Sequence, residues 1–265
     1  MFITSYIQVV RISDGATIKG AILAGGKGTR LRPLTEKLNK HLLPVYDRFM
    51  VTFPIETLKN LGVNQICIVT GEKDYQDFIR FIGNGKEQGV EIEYRTQRDS
   101  LGLADAVYQT IDYFGSQKPV IILGDDIFSH LVLPASALED NYAYAAVTSA
   151  RGIGIAATAV AVPELDKDGT IVGVSEKPKN PVSKLMVCGF YVFAPDVYDF
   201  IKTMKPSDRG ELEISDITNW YAKNNRLKPI SEVEFVADAG SLDSLLEASI
   251  WRSKMLKRER VDSNE

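Results

Sequence analysis

The stretch Lys19-Gly20-Ala21-Ile22-Leu23-Ala24-Gly25-Gly26-Lys27-Gly28-Thr29-Arg30-Leu31 decides the fold. A short apolar run stops at a glycine-rich turn, which is how an open α/β sheet presents backbone N–H groups at the carboxyl ends of its strands. The rhythm repeats outward. A helical pattern covers residues 50–60, followed by a strand at 65–70, a helix at 75–82, a strand at 90–96, a helix at 103–114 and a strand at 119–123. Apolar runs of four to six residues alternating with amphipathic helices predict a parallel sheet covered on both faces, so residues 19–130 read as a doubly wound α/β unit.

After residue 130 the pattern turns β-rich. Strands are expected at 142–150, 153–162, 170–175 and 186–193, with Asp166-Lys167-Asp168-Gly169 as a turn between two of them. A helix at 211–222, a strand at 234–236 and a last helix close the chain. Ser241 is the expected N-cap of that helix, with Leu242, Leu245, Leu246 and Ile250 on one face. The second half is expected to dock on the first.

Composition narrows the class. With 265 residues, 45% hydrophobic and 25% charged, at a net charge of −4, the chain is an ordinary globular one rather than a disordered one. The slight acidity argues against gripping nucleic acid or anionic membrane by long-range charge, and leaves room for a locally basic anion site. Cys67 and Cys188 each sit in an apolar run and read as buried reduced thiols; His41 and His130 are not spaced to complete a zinc site with them. No stretch approaches the length of a membrane span and the N-terminus lacks a signal-peptide pattern, so a cytoplasmic protein is expected.

The glycine turn is neither a dinucleotide fingerprint, because Leu31 stands where a third glycine belongs, nor a Walker loop, because Gly28 follows Lys27 where Ser or Thr belongs. Alone it could be an ordinary turn. Arg30 and Lys40, close to it in sequence, are two cations suited to polyphosphate. Leu123-Gly124-Asp125-Asp126 brings carboxylates to the same sheet edge, where they suit Mg²⁺; one Asp is accounted for by capping the turn, and Asp125 is the favoured ligand. Trp220 and Tyr221 extend an amphipathic helical face and are expected in the core.

Gly25-Gly26-Lys27-Gly28-Thr29-Arg30-Leu31 with Lys40-His41-Leu42-Leu43-Pro44-Val45-Tyr46-Asp47 resembles the opening of the sugar-1-phosphate nucleotidyltransferases. The likeness continues through Gln97, Gly102-Leu103-Ala104-Asp105-Ala106, Leu123-Gly124-Asp125, Glu176-Lys177-Pro178, the segment 205–216 and Asp238-Ala239-Gly240. It covers residues 19 to about 250 in order, and it is nearest to members that join thymidylate to glucose-1-phosphate.

The resemblance implies a Rossmann-like doubly wound mixed sheet with an additional sugar-binding β-rich half. Residues 1–18 are an extension and 19–265 a single domain. Within it, 19–130 bind nucleotide, 131–240 bind sugar phosphate and 241–265 form a C-terminal helix. The implied reaction is a Mg²⁺-dependent single displacement, in which glucose-1-phosphate attacks the α-phosphorus of dTTP and pyrophosphate leaves. Arg30 and Lys40 are the implied catalytic residues. Gly25, Gly26, Gly28, Thr29, His41, Gln97 and Gly102 are the implied nucleotide contacts. Gly154, Glu176, Lys177, Val187 and Arg209 are implied for the sugar phosphate, and Asp125 and Asp238 for the metal. Alternatives are transfer from UTP or another nucleotide to a different sugar-1-phosphate, or a non-catalytic sugar-phosphate or nucleotide sensor. The expected partners are small molecules, with no nucleic acid or membrane, and the expected assembly is a homo-oligomer.

Departures from the family pattern cluster on the sugar side: Ile153 replaces an aromatic residue, Val236-Ala237 a bulkier pair and Cys188 a threonine, while Phe49 replaces a proline elsewhere. Ser13-Asp14-Gly15 could turn a hairpin in the extension. A C-terminus shorter than in longer relatives makes a regulatory nucleotide site there doubtful.

Overall fold

The computed structural model describes residues 18–99, 101–149, 161–176, 178–231 and 233–262. Residues 153–160 of the strand expected at 153–162, the hairpin at Ser13–Gly15, and Gly154 and Lys177 lie outside them. In chain order, β1 (Lys19–Ala24) precedes a two-stranded hairpin, β2 (Pro44–Val45) and β3 (Arg48–Phe49), and α1 (Thr52–Asn60). Next come β4 (Gln65–Gly71), α2 (Tyr75–Ile82), β5 (Glu91–Gln97), α3 (Leu103–Tyr108), α4 (Ile111–Phe114) and β6 (Val120–Leu123). The chain continues through β7 (Asp126–Leu131), β8 (Ala143–Ser149), β9 (Ala161–Leu165), β10 (Ile171–Glu176), β11 (Leu185–Val192) and α5 (Val197–Thr203). It ends with α6 (Ile214–Lys223), β12 (Leu227–Ile230), β13 (Val233–Asp238) and α7 (Leu242–Asp262).

One seven-stranded mixed sheet, ordered β12-β8-β11-β6-β1-β4-β5, draws strands from both halves of the chain. β6, β1, β4 and β5 run parallel, and β11 is inserted antiparallel between β6 and β8. Alternate residues of β1 feed opposite cores: Ala21 and Leu23 pack with α3, α5 and α6, while Ile22 and Ala24 pack with α1 and α2. Burial on both faces is why these strands read as unbroken apolar runs. Register sets the functional edge, because Leu23 pairs with Leu123, Ala24 with Thr70 and Gly71 with Gln97. The turns that follow these strands therefore lie side by side.

Several elements differ from the sequence expectation. The helix expected over 103–114 breaks between α3 and α4, where buried Thr110 donates from Oγ1 to the Val107 carbonyl at 2.6 Å and bonds Tyr198 Oη at 3.1 Å. A threonine satisfying the carbonyl three residues back competes with the helical ladder. β7, α5 and β12 have no counterpart in the sequence reading; β12 carries Pro229 and is an edge strand, the place where a sheet tolerates proline. On α7, Leu245, Ala248 and Trp251 pack with Val45, Phe53 and Ala239, whereas Leu242, Leu246 and Ile250 are exposed. The buried face is thus rotated from the expected one. The cap is as expected, since Ser241 Oγ accepts from the Ser244 N–H and Ser244 Oγ accepts from the Ser241 N–H.

Asp166 turns β9 into β10, its Oδ1 accepting from the N–H groups of Asp168 and Thr170, both at 2.9 Å. Cys67 and Cys188 are free and buried, and burial pushes the Cys67 thiol up to about 12. Tyr221 is fully buried and Trp220 stacks on Phe200 at 4.5 Å. Among the described residues no helix is long and apolar enough to cross a membrane.

Candidate active site

The site is assembled where β1, β4, β5 and β6 end. The turn after β1 passes through Gly28, whose φ of +60° leads into a single 3₁₀ turn at Thr29–Leu31. A second 3₁₀ turn, Lys40–Leu42, is capped by Asn39, whose Oδ1 accepts from the His41 N–H at 2.9 Å. Asn39 also donates from Nδ2 to Asp74 Oδ2 at 2.8 Å and to the Ala24 carbonyl at 3.3 Å, which ties this turn to the ends of β1 and β4. Lys40 is thereby delivered along the glycine turn, and its Nζ meets Asp125 Oδ2 at 2.5 Å.

Three carboxylates converge there. Asp125, Asp126 and Asp238 each place an oxygen within 4.8 Å of the others. β7 and β13 pair antiparallel with Asp126 opposite Asp238, and the Ala239 N–H donates to the Asp125 carbonyl at 2.9 Å. Asp126, expected as a turn cap, is buried and accepts from the Gly189 N–H at 2.6 Å. That bond sits in a register break of β11, where a Cβ on residue 189 would stand 2.4 Å from Leu123 Cγ and 2.6 Å from Asp126 Oδ2. Only glycine fits.

The electrostatics follow from this crowding. Burial and the neighbouring carboxylates Asp238 and Asp125 push Asp126 well above the usual carboxylate range. Asp238 is raised too, by burial and by Asp125, with the Arg30 guanidinium opposing. Asp125 goes the other way: burial works against its charge, but the Lys40 ammonium and the His41 ring outweigh it and hold the carboxyl well below the ordinary value. Arg30, largely exposed, reaches Asp238 Oδ2 with Nη2 at 3.5 Å. Two cations facing three clustered acids leave an electrostatic demand that a divalent cation on hard oxygen donors meets, so these residues fit a metal of that kind.

The His41 side chain is buried beneath the sheet edge. It is 1% exposed, its Nδ1 bonds Asn39 Oδ1 at 2.8 Å, and its Nε2 lies 3.8 Å from Asp125 Oδ1 with no hydrogen-bond partner among the described residues. Burial lowers its pKa. The His41 ring is therefore packed against Asp125 within the protein rather than at the open edge of the site.

Gln97 ends β5 and is buried. Its Nε2 donates to Asp105 Oδ2 at 2.7 Å and to the Gly102 carbonyl at 3.0 Å, while Oε1 points over Gly25, 3.0 Å from where a Cβ would stand there. Gly102 adopts φ +105°, and any Cβ on it would meet the Leu212 carbonyl oxygen at 2.4 Å. Leu212 in turn accepts from the Ala104 N–H at 3.0 Å and donates to the Leu101 carbonyl at 2.7 Å. The loop carrying Arg209 is stitched to the Gly102 turn this way. Arg209 itself is exposed and pairs with Glu213 at 2.9 Å. Glu176 is exposed at the end of β10 and Val187 is buried in β11.

Arg30, Lys40, Asp125 and Asp238 thus come together, with Gln97 standing over Gly25. Sequence reasoning missed Asp126, Asn39 and Asp105. Asn39 carried a signal, as a capping residue directly before a short turn, whereas Asp126 depends on the pairing of β7 with β13.

A glycine turn, paired cations and an acid cluster at the carboxyl edge of a mixed α/β sheet define a nucleotide-binding enzyme of the phosphate-transferring kind. Comparison makes the class specific: residues 19–253 match the family described as nucleotidyl transferase, and the chain belongs to that family. The glucose-1-phosphate thymidylyltransferase of Mycolicibacterium smegmatis is 37% identical over 238 residues, 88% of this chain and 81% of that protein. A Bacillus anthracis protein assigned as a glucose-1-phosphate thymidylyltransferase, crystallised with sucrose, superimposes with TM-score 0.78 at 36% identity, covering 88% of this chain and 94% of that one. A UDP-glucose pyrophosphorylase solved with UDP-glucose is 24% identical and shares the fold, with TM-score 0.76 over 91% of this chain.

Proposed function

We propose that the chain transfers the thymidylyl group of dTTP to glucose-1-phosphate, giving dTDP-glucose and pyrophosphate. The convergence of Lys40 and Arg30 with Asp125 and Asp238 beside the glycine turn carries this reading. The names and coverage of the relatives support the choice of substrates. A phosphate oxygen of the sugar attacks the α-phosphorus, the bond to the β-phosphate breaks, and the charge leaves on pyrophosphate. No covalent nucleophile is required, so catalysis consists of positioning and charge neutralisation.

In this reading Gly25, Gly26, Gly28 and Thr29 receive the triphosphate, and Lys40 and Arg30 neutralise charge at the reacting phosphates. Asp125 and Asp238 hold Mg²⁺, which supplies charge neutralisation at the phosphate oxygens when bound. Gln97 and Gly102 receive the base, with Gln97 offering a carbonyl oxygen. Glu176, Lys177, Arg209 and the backbones of Gly154 and Val187 belong to the sugar-phosphate side. The single domain spans 19–265, works in the cytoplasm and self-associates; the exposed stripe Leu242, Leu246 and Ile250 supports that last assignment.

The test is pyrophosphate release across dTTP, UTP, dCTP and purine triphosphates combined with several sugar-1-phosphates, with and without Mg²⁺. The expected result is Mg²⁺-dependent release that is highest with dTTP and glucose-1-phosphate. Binding without release for every pair overturns the reading in favour of a sensor.

A further inference from the structure

We propose that Asp105 is a positioning residue that fixes the amide of Gln97, so that the site presents only a hydrogen-bond acceptor to the base. The proposal rests on the reading of Gln97 as the base contact. The amide has two N–H donors, and both are committed: one to the Asp105 carboxylate at 2.7 Å and one to the Gly102 carbonyl at 3.0 Å. Turning the amide over would set its oxygen against two acceptors at once, so the orientation follows from the donor and acceptor inventory alone. No hydrogen bond from a described residue reaches Oε1, which faces Gly25.

Asp105 is itself held. It lies in the first turn of α3, and its other oxygen accepts from Gln109 Nε2 at 3.2 Å, one helical turn on. The chain Gln109–Asp105–Gln97 therefore runs from the surface of α3 to the end of β5. Gln97 is 5% exposed, so a wrong partner for Oε1 costs the full penalty of facing two acceptors with little water to relieve it.

The chemical consequence is selection by the ring nitrogen of a pyrimidine. Thymine and uracil carry N3–H and can donate to Oε1, whereas cytosine presents a bare N3 acceptor there. A site built on a fixed acceptor rejects the base lacking the donor far more strongly than a hydrophobic pocket rejects a wrong shape. At this contact dTTP and dUTP are equivalent, and dCTP is excluded.

The test is steady-state pyrophosphate release with dTTP, dUTP and dCTP for the wild type, Asp105→Asn and Asp105→Ala, alongside melting temperatures. Asparagine can present an N–H as well as an oxygen to Gln97, so only the Gly102 carbonyl still opposes the turned amide and a fraction of sites face the base with a donor. The expected result is a fall of about tenfold or more in the dTTP:dCTP ratio of kcat/KM for Asp105→Asn, with a smaller fall for Asp105→Ala. A ratio equal to wild type in both folded variants, with all nucleotides slowed together, overturns the positioning role. If neither variant folds, the wild type decides: dCTP used as well as dTTP overturns the fixed acceptor, and dCTP discrimination with dTTP and dUTP alike upholds it. A wild type inactive with every nucleotide overturns the transfer reading instead.

Discussion

Replacing Lys40 with methionine keeps the stem that lies against the glycine turn and removes only the ammonium. In the ligand-free protein that ammonium is the main counterion of Asp125, at 2.5 Å, and the two side chains are 14% and 11% exposed. Solvent therefore screens the pair little. Breaking one partner of a buried pair costs about 3 kcal/mol, because the remaining carboxylate stays buried beside Asp126 and Asp238. For a chain of this size that corresponds to a fall of about 10 °C in melting temperature. Activity should fall further, by about 3–4 kcal/mol in kcat/KM, as for loss of a fixed charge partner in the transition state. The two losses separate in a divalent-cation titration followed by both melting and turnover. A cation on the carboxylates restores much of the lost stability by mass action, while turnover stays low. Near-wild-type kcat/KM would remove Lys40 from the chemistry. A melting deficit indifferent to divalent cation would show that the carboxylates are not the metal site.

Three further outcomes are expected. Gly189→Ala forces a Cβ to within 2.4 Å of Leu123 and 2.6 Å of Asp126, so about 2–3 kcal/mol of stability should be lost in a thermal or denaturant melt; an unchanged melt would refute the close packing. Asp238→Asn removes one charge from a crowded, buried cluster, so the metal-free protein should melt at or above the wild-type temperature yet lose divalent-cation-dependent turnover; a normal cation titration would reject this ligand. Arg252→Ala cuts the two contacts, 3.0 and 3.3 Å, that tie α7 to Asp47 after β2, a loss of about 1–2 kcal/mol at neutral pH. Burial opposes the charge of Asp47, but Arg252 outweighs it and lowers the carboxyl below its ordinary 3.8. A lowered folded value means stability present above that ordinary value and lost as pH falls through the folded one. The gap between wild type and variant should therefore narrow below about pH 4, and a gap independent of pH would sink the assignment.

What could be read from the sequence was what local pattern encodes. β1, β4 and β6 announced themselves because both faces are buried, and α2 ends where its amphipathic pattern meets Gly83. The helix α7 was legible as a helix but not in its orientation. Its buried face includes Arg252, which counts as polar until its partner Asp47, distant in sequence, is known, while the more hydrophobic stripe Leu242, Leu246 and Ile250 faces outward. Lys40, Asp125 and Asp238 were legible because they stand in ordered motifs. Asp126 was not, since its place depends on which strand pairs with β7, nor was the burial of the His41 ring, because adjacency to Lys40 says nothing about which way a ring turns in a 3₁₀ turn.

The charge arrangement also resolves the tension between a chain of net charge −4 and a proposed pair of anionic substrates. A merely basic site would hold any phosphate, without regard to geometry or to the presence of a metal. Here the two cations that reach the acid cluster are each matched to an acid, Lys40 to Asp125 and Arg30 to Asp238, and a third acid is buried behind them. Lys40 is held closely by Asp125, and Arg30, though exposed, leans on Asp238, so attraction for the triphosphate at these two cations strengthens when the acids are offered another counterion. Phosphate affinity and divalent-cation affinity are then two expressions of one balance. That is why the site can sit in an acidic protein, and why the residues that most oppose an anion are the ones on which its binding depends.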